Sequence, residues 1–351
     1  GHMNEEKTRM GYRAIADFYN ALMTGTVLTL IARRGVDTAR EFVFRHFRRQ
    51  QLEKFLPGLK KLGLDQLPHA VACAQYHYFS NALGGVKTEY WAESDRKAWV
   101  RYPPPRWIWR GTAVCAVPDE VNAAMLHGWH GHNGVSLGNP RLGFVCTGMI
   151  TSGAPGLEGY YYEYDRPLAP EERVRFISDE ESMPRIDVGR SPKLNGVEWP
   201  MSRREKVYRS YAMEYVRTLV PTLIELIGPE GMREELGRTA RLVGLQFFEE
   251  CAKRLDLPLG RPSPADFAGF LGRMLKAQGE DVTLGEKDAV VAQHGWKLMG
   301  GIDFINRDDA SGAFKALNEL WVGALAAYDR FMVLETKCEF GTDWEIVWKV
   351  R

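Results

Sequence analysis

A chain of 351 residues exceeds the usual single-domain size, so two core-forming units of about 150–200 residues each are expected. A hydrophobic share of 45% and a charged share of 26% exclude a disordered chain, a collagen-like repeat and a coiled-coil rod. Lys plus Arg number 46 against 45 Asp plus Glu, a formal net charge of +1, so bulk charge selects neither nucleic acid nor a membrane surface as partner.

In chain order, Gly1-His2-Met3 reads as an expression-tag remnant ahead of the charged run Asn4 to Lys7, and no secretory signal is expected. Tyr12, Ile15, Phe18, Tyr19 and Leu22 repeat at helical spacing, and Phe42, Phe44, Phe47, Leu52, Phe55 and Leu59 follow in a second helix. The apolar stretch Leu22 to Ala32 is shorter than the about 20 residues a bilayer-crossing helix needs. Arg45, Arg48, Arg49, Lys54, Lys60 and Lys61 alternate with the apolar positions of the second helix; they read as a solvated face, with a phosphate-binding face as the other option. A third helix spans Leu67 to Leu83 and ends at Gly84-Gly85, which can adopt the left-handed conformation of a helix terminus.

There the apolar period changes to two, and Val86 to Tyr90 and Ala98 to Tyr102 form a hairpin around Glu93-Ser94-Asp95. Three consecutive prolines after Tyr102 force a stiff connector, and Pro118 opens a helix from Asp119 to about Trp129. Strands over Leu142 to Thr147 and Leu157 to Tyr164 flank a Gly-rich turn. Residues 4–165 thus form a first α+β half, and 166–200, rich in Pro and charge without apolar period, form a linker or connecting segment.

The second half, 201–351, repeats the plan. Ser202-Arg203-Arg204-Glu205 fits a capping box; helices run to Ile227, after Gly228-Pro229, and from Ser263 to Lys276. A strand pair near Val282–Leu284 and Ala289–Gln293, a helix, and a hairpin from Val333 to Lys349 complete it. Setting Arg34-Gly35-Val36 against Glu230-Gly231-Met232 places the copies about 196 residues apart, a domain-sized offset. The expected class is α+β, two similar halves with helices packed on a small antiparallel sheet made of hairpins; one large α+β domain is the alternative.

Gly279-Glu280-Asp281, Tyr328-Asp329-Arg330 and Lys337-Cys338-Glu339-Phe340 stand in an element order that resembles the L-2-amino-thiazoline-4-carboxylic acid hydrolase family, best over the C-terminal half. The layout is also similar to small ligand-binding domains of the vinyl-reductase-associated type. The resemblance implies hydrolytic opening of a small cyclic amidine-like substrate.

The residues that carry chemistry cluster in Leu126-His127-Gly128-Trp129-His130-Gly131-His132-Asn133-Gly134. His127 and His130 share a helix face and His132 can fold back toward them, a set that with a carboxylate or water would hold zinc or manganese. Without a metal, His130 and His132 are candidates for acid–base work, Asn133 for an oxyanion donor, and Glu163 or Glu158 for orienting an imidazole. A third option is purely structural, with the imidazoles closing a helix C-terminus.

Arg106, Trp107, Trp109 and Tyr162 are the candidate substrate-binding residues, indole and phenol faces for a planar ligand and a guanidinium for a carboxylate. Cys73, Cys115, Cys146, Cys251 and Cys338 form no C-x-x-C pair, which fits reduced thiols in the cytoplasm; Cys146 and Cys115 read as inert buried thiols. The function expected is a hydrolase acting on a C–N bond of a small polar cyclic amide or amidine by acid–base catalysis; the alternative is a non-catalytic small-molecule-binding protein. The aromatic face of the first helix, Tyr12 to Leu30, offers a homodimer contact as a third possibility.

Overall fold

The computed structural model describes residues 2–104, 115–178, 181–194, 199–304 and 306–351. Its helices are α1 (His2–Arg34), α2 (Val36–Lys61), α3 (His69–Leu83), α4 (Asp119–Gly128), α5 (Asn133–Ser136), α6 (Met201–Arg254), α7 (Pro264–Ala277) and α8 (Arg307–Tyr328). Its strands are β1 (Glu89–Ser94), β2 (Lys97–Tyr102), β3 (Leu142–Gly148), β4 (Leu157–Glu163), β5 (Val174–Phe176), β6 (Asp281–Gly285), β7 (Val290–His294), β8 (Leu334–Phe340) and β9 (Trp344–Val350). The class is α+β, and the chain divides into two compact units, Leu30–Pro200 and Gly1–Thr29 with Met201–Arg351.

In the unit of residues 30–200, the sheet order is β1-β2-β4-β3-β5. All neighbours are antiparallel except β3 and β5, which run parallel. Alternation along the strands gives the sheet two different faces. Ala98, Tyr161 and Phe144 stand opposite one another across β2, β4 and β3, and all three are buried. On the other face Trp99, Tyr160 and Val145 form the equivalent row and pack with Met183, Ile177 and Ile186. The segment 166–200, expected to be a connection, therefore supplies β5 and covers that second face.

In the unit of residues 1–29 and 201–351, the sheet is wholly antiparallel in the order β6-β7-β9-β8. Ile346, Trp348 and Val350 alternate with exposed Glu345, Val347 and Lys349, the pattern of a sheet with one face in the core. By length and composition α1 is apolar enough to cross a bilayer, contrary to the shorter stretch expected. Its apolar residues Ala14, Ile15, Phe18, Leu22 and Met23 are nevertheless fully buried, and Phe18 meets Trp321 edge-on at 5.9 Å. The face considered for a dimer contact is thus core of its own unit. Glu205 does not close a capping box: α6 begins at Met201, and the Glu205 carboxylate accepts from Arg9 and Arg13 at 3.3 and 3.0 Å.

The two halves share more than a list of elements. Set side by side, β1, β2, β4, β3 and β6, β7, β9, β8 follow the same spatial order, each with a helix between its two hairpins. Gly35 (φ 94°, ψ 164°) parts α1 from α2, and Gly228 (φ 80°, ψ 167°) breaks α6 in the same conformation, one that side chains with a Cβ rarely adopt. Gly228 is therefore the counterpart of Gly35, not Gly231 as the sequence alignment had it. A Cβ on Gly128 would approach the Phe44 carbonyl to 2.6 Å and the Arg48 amide to 3.1 Å; one on Gly323 would collide with the Arg241 carbonyl. Each layout thus crosses two helices at a glycine.

Candidate functional site

Within residues 30–200, the helix-facing side of the sheet carries a buried polar cluster. His77 comes from the middle of α3, Tyr161 from β4, Tyr102 from the end of β2, and His130 and Asn133 from the 3-10 turn and short α5 that follow α4. The His77 and His130 rings stack face to face, centroids 4.1 Å apart at an interplanar angle of 0°, and are 5% and 3% exposed. His77 Nε2 lies 2.6 Å from the Tyr161 hydroxyl, and His130 Nε2 lies 3.3 Å from the Tyr102 hydroxyl. Phe144 packs on His130 with ring centroids 4.7 Å apart.

The hydrogen bonds around this cluster have a direction. Arg48 Nη1 donates to Gln51 Oε1 at 2.6 Å, and Gln51 Nε2 donates to Asn133 Oδ1 at 3.2 Å and to Ser136 Oγ at 2.7 Å. Asn133 Nδ2 then donates to the Tyr161 hydroxyl at 2.9 Å. Burial pushes the Tyr161 phenol well above its ordinary range, so its hydroxyl keeps its proton and has it free to donate to His77 Nε2. A relay Arg48, Gln51, Asn133, Tyr161, His77 results, which assigns the His77 ring hydrogen to Nδ1.

The other unit fills the same places with apolar side chains. Leu271 stands as far before Gly279 as His77 stands before Gly85, and both glycines have positive φ. Leu325 follows the crossing glycine Gly323 as His130 follows Gly128, and Leu271 and Leu325 are both buried. The polar cluster is therefore no requirement of the layout.

A cleft of about 210 Å³ opens on the same side of the sheet, lined by Asp119, Glu120, Cys146, Met149, Phe176 and Ser178. Cys146 stands two places from Phe144 on β3 and so shares its face, and Phe144 packs on the His130 ring. Asp119 accepts from the Thr151 and Ser152 hydroxyls at 2.5 Å each, and Glu120 accepts from Arg40 at 3.0 Å. Burial holds the Cys146 thiol up to about 12, so it is protonated and not a nucleophile at neutral pH.

The sequence candidates part company in space. His130 and Asn133 belong to the cluster, and both ends of the Asn133 amide are engaged, by Gln51 and by Tyr161. His132 turns away, donating from Nδ1 to the His127 carbonyl at 2.8 Å, and His127 is exposed against Phe176. Among the described residues no group of three His, Cys, Asp or Glu side chains is placed to hold a metal, so His127, His130 and His132 do not converge as a zinc or manganese site.

Glu163 accepts from Asn139 at 2.5 Å and Glu158 from Thr147 at 2.7 Å and the Met183 amide at 3.1 Å; neither orients an imidazole of the cluster. Tyr162 lies on the opposite face of the sheet, edge-on to Tyr160 and Tyr164. Arg106, Trp107 and Trp109 lie outside the described residues. Cys115, expected to be buried, is exposed. His77 escaped the sequence reading because it stands alone on an apolar helix, and Tyr161 and Gln51 because each sits beside residues of its own kind in an ordinary strand or helix pattern. Comparison of the chain with protein-family models, curated proteins and solved structures finds no match.

Proposed function

We propose that the unit of residues 30–200 is an acid–base catalyst acting on a small polar molecule, a hydrolase for a C–N bond of a cyclic amide or amidine. The observation that carries this reading is the buried His77–His130 pair at the end of a directed hydrogen-bond relay, in places where the other unit has leucines. Burying this many polar groups costs free energy that a leucine core does not, so a chemical role accounts for their presence better than packing does. His130 is the proton acceptor in this scheme, and His77, fixed by Tyr161, positions and polarises it across the stack. The neighbouring cleft of about 210 Å³ is of a size for a small ring compound, with Phe144 as the wall that must give way for the ring to meet His130. The resemblance to the L-2-amino-thiazoline-4-carboxylic acid hydrolase family, carried by residues 279–340 of the other unit, is what suggests a C–N bond as the target. All five cysteines are free thiols, which suits the reducing cytoplasm.

A second reading, ligand binding without turnover, is favoured by one observation: both rings are almost fully covered. The two are separated by incubating the full chain with a panel of cyclic amides and amidines and following both hydrolysis and thermal shift. On the hydrolase reading, at least one compound is turned over and His130→Ala lowers kcat by about 10²-fold or more with the fold intact by circular dichroism. Binding with no turnover supports the second reading, and unchanged turnover in both His130→Ala and His77→Gln defeats the first. Elemental analysis of the same samples tests for zinc or manganese; stoichiometric metal lost in His130→Ala and His132→Ala would replace the metal-free scheme.

A further inference from the structure

Phe44, Arg48 and Gln51 form one stripe on α2, and this stripe faces the turn that carries His132. Two guanidinium groups and an imidazole come together there from three different segments. Arg48 is held by Gln51, whose amide nitrogen also reaches the His132 carbonyl at 3.3 Å. His132 is fixed through Nδ1 to the His127 carbonyl, which leaves Nε2 pointing elsewhere. Arg173 directly precedes β5 and lies beside Gly131, where a Cβ would lie 3.8 Å from the Arg173 Cβ. Among the described residues no carboxylate pairs with Arg48 or Arg173, whereas Arg40, Arg45, Arg96, Arg101 and Arg166 of this unit each have one.

We propose that Arg48, Arg173 and His132 form a binding site for a small oxyanion, a phosphate or a carboxylate group. Like charges gathered in partly buried surroundings repel one another unless an anion is placed between them. Arg173 acts on both partners: its charge, after burial, holds the Arg48 guanidinium below its ordinary range, and burial, Arg48 and then Arg173 hold the His132 imidazole down. Two planar guanidinium forks are the donor set that recognises three-oxygen or two-oxygen anions, and an anion between them favours the protonated His132 ring, which then adds a donor. The site is the outer end of the relay, since Arg48 feeds Gln51, Asn133, Tyr161 and His77. An anion bound there sets the position of Arg48 and, through it, the amide of Gln51 that fixes Asn133. The inference does not depend on catalysis at the histidine pair and stands if that reading fails.

The test uses the full chain titrated with inorganic phosphate, sodium chloride at matched ionic strength, and acetate, read by thermal shift and by the His132 ring resonances in NMR. Phosphate is expected to raise Tm saturably and to move the His132 resonances, with chloride doing neither. Arg48→Gln and Arg173→Gln should each weaken phosphate about tenfold or more. Arg173→Gln should also leave Tm unchanged or raised without phosphate, since one repelling charge is gone. Competition by acetate identifies a site open to carboxylates, and its failure to compete identifies one that takes phosphate alone. A phosphate response equal to that of chloride, or one retained in both variants, overturns the proposal.

Discussion

At the scale of single residues, burial decides what each titratable group does. His46 on α2 is fully buried between Phe42 and Phe47, and burial, with Arg49 adding to it, drives its imidazole down to about 3. Its folded value lies below the ordinary 6.5 of the unfolded chain, so the unfolded state binds the extra proton. Stability tied to His46 is full above pH 6.5 and falls as pH drops toward 3, by roughly 2 kcal/mol at pH 5. Urea unfolding at pH 7.5 and pH 5 should show that loss, and His46→Phe should shrink it; an equal loss in the variant would sink the assignment. Cysteine chemistry divides the same way. At pH 8 iodoacetamide should label Cys115 quickly and Cys146 only after denaturation, and mass mapping of the labelled sites checks it. His130 and Asn133 were legible in sequence because they sit in a dense histidine motif. His77 was not, because a lone histidine on an apolar helix gives no sign of what will stack on it.

At the scale of elements, glycines set how closely helices cross. The Gly323 position leaves no room for a Cβ beside the Arg241 backbone, and backbone cannot move aside as a flexible side chain can. Gly323→Ala should therefore cost about 1–3 kcal/mol by forced separation of α6 and α8. Gly269→Ala in α7 serves as the control, since nothing lies within 4 Å of its would-be Cβ, and a helical alanine there should be neutral or slightly stabilising. Chemical denaturation of both variants tests the pair; equal effects would show that helix propensity and not the crossing governs. Most helices and hairpins were legible from period and turn chemistry, as α3 ending at Gly84-Gly85 and the strand pairs β1–β2 and β8–β9 show. The Ser202 capping box was not formed, because the Glu205 carboxylate is drawn to two arginines of α1, a contact distant in sequence. Residues 174–176 were passed over because three residues are too few for any period to register.

At the scale of the whole chain, the repeat is regular in layout and irregular in bookkeeping. The first 29 residues belong with residues 201–351, where Phe18, Leu22 and Met23 complete the core and Cys251 donates to the Ala14 carbonyl at 3.6 Å. Deleting residues 1–29 should abolish cooperative unfolding of that unit, since several large buried side chains worth about 2–5 kcal/mol each are lost together. Calorimetry of the truncated chain checks this; a native-like transition from residues 201–351 would refute it. Sequence by itself determined the α+β class, the repeated order of helix and hairpin, and the segment that holds His130, because those follow from spacing along the chain. Tertiary structure alone decided that α1 serves the C-terminal core, that His77 meets His130, and that Arg48 and Arg173 stand beside the same turn. These pairings depend on which distant surfaces bury each other, and no local period encodes that choice.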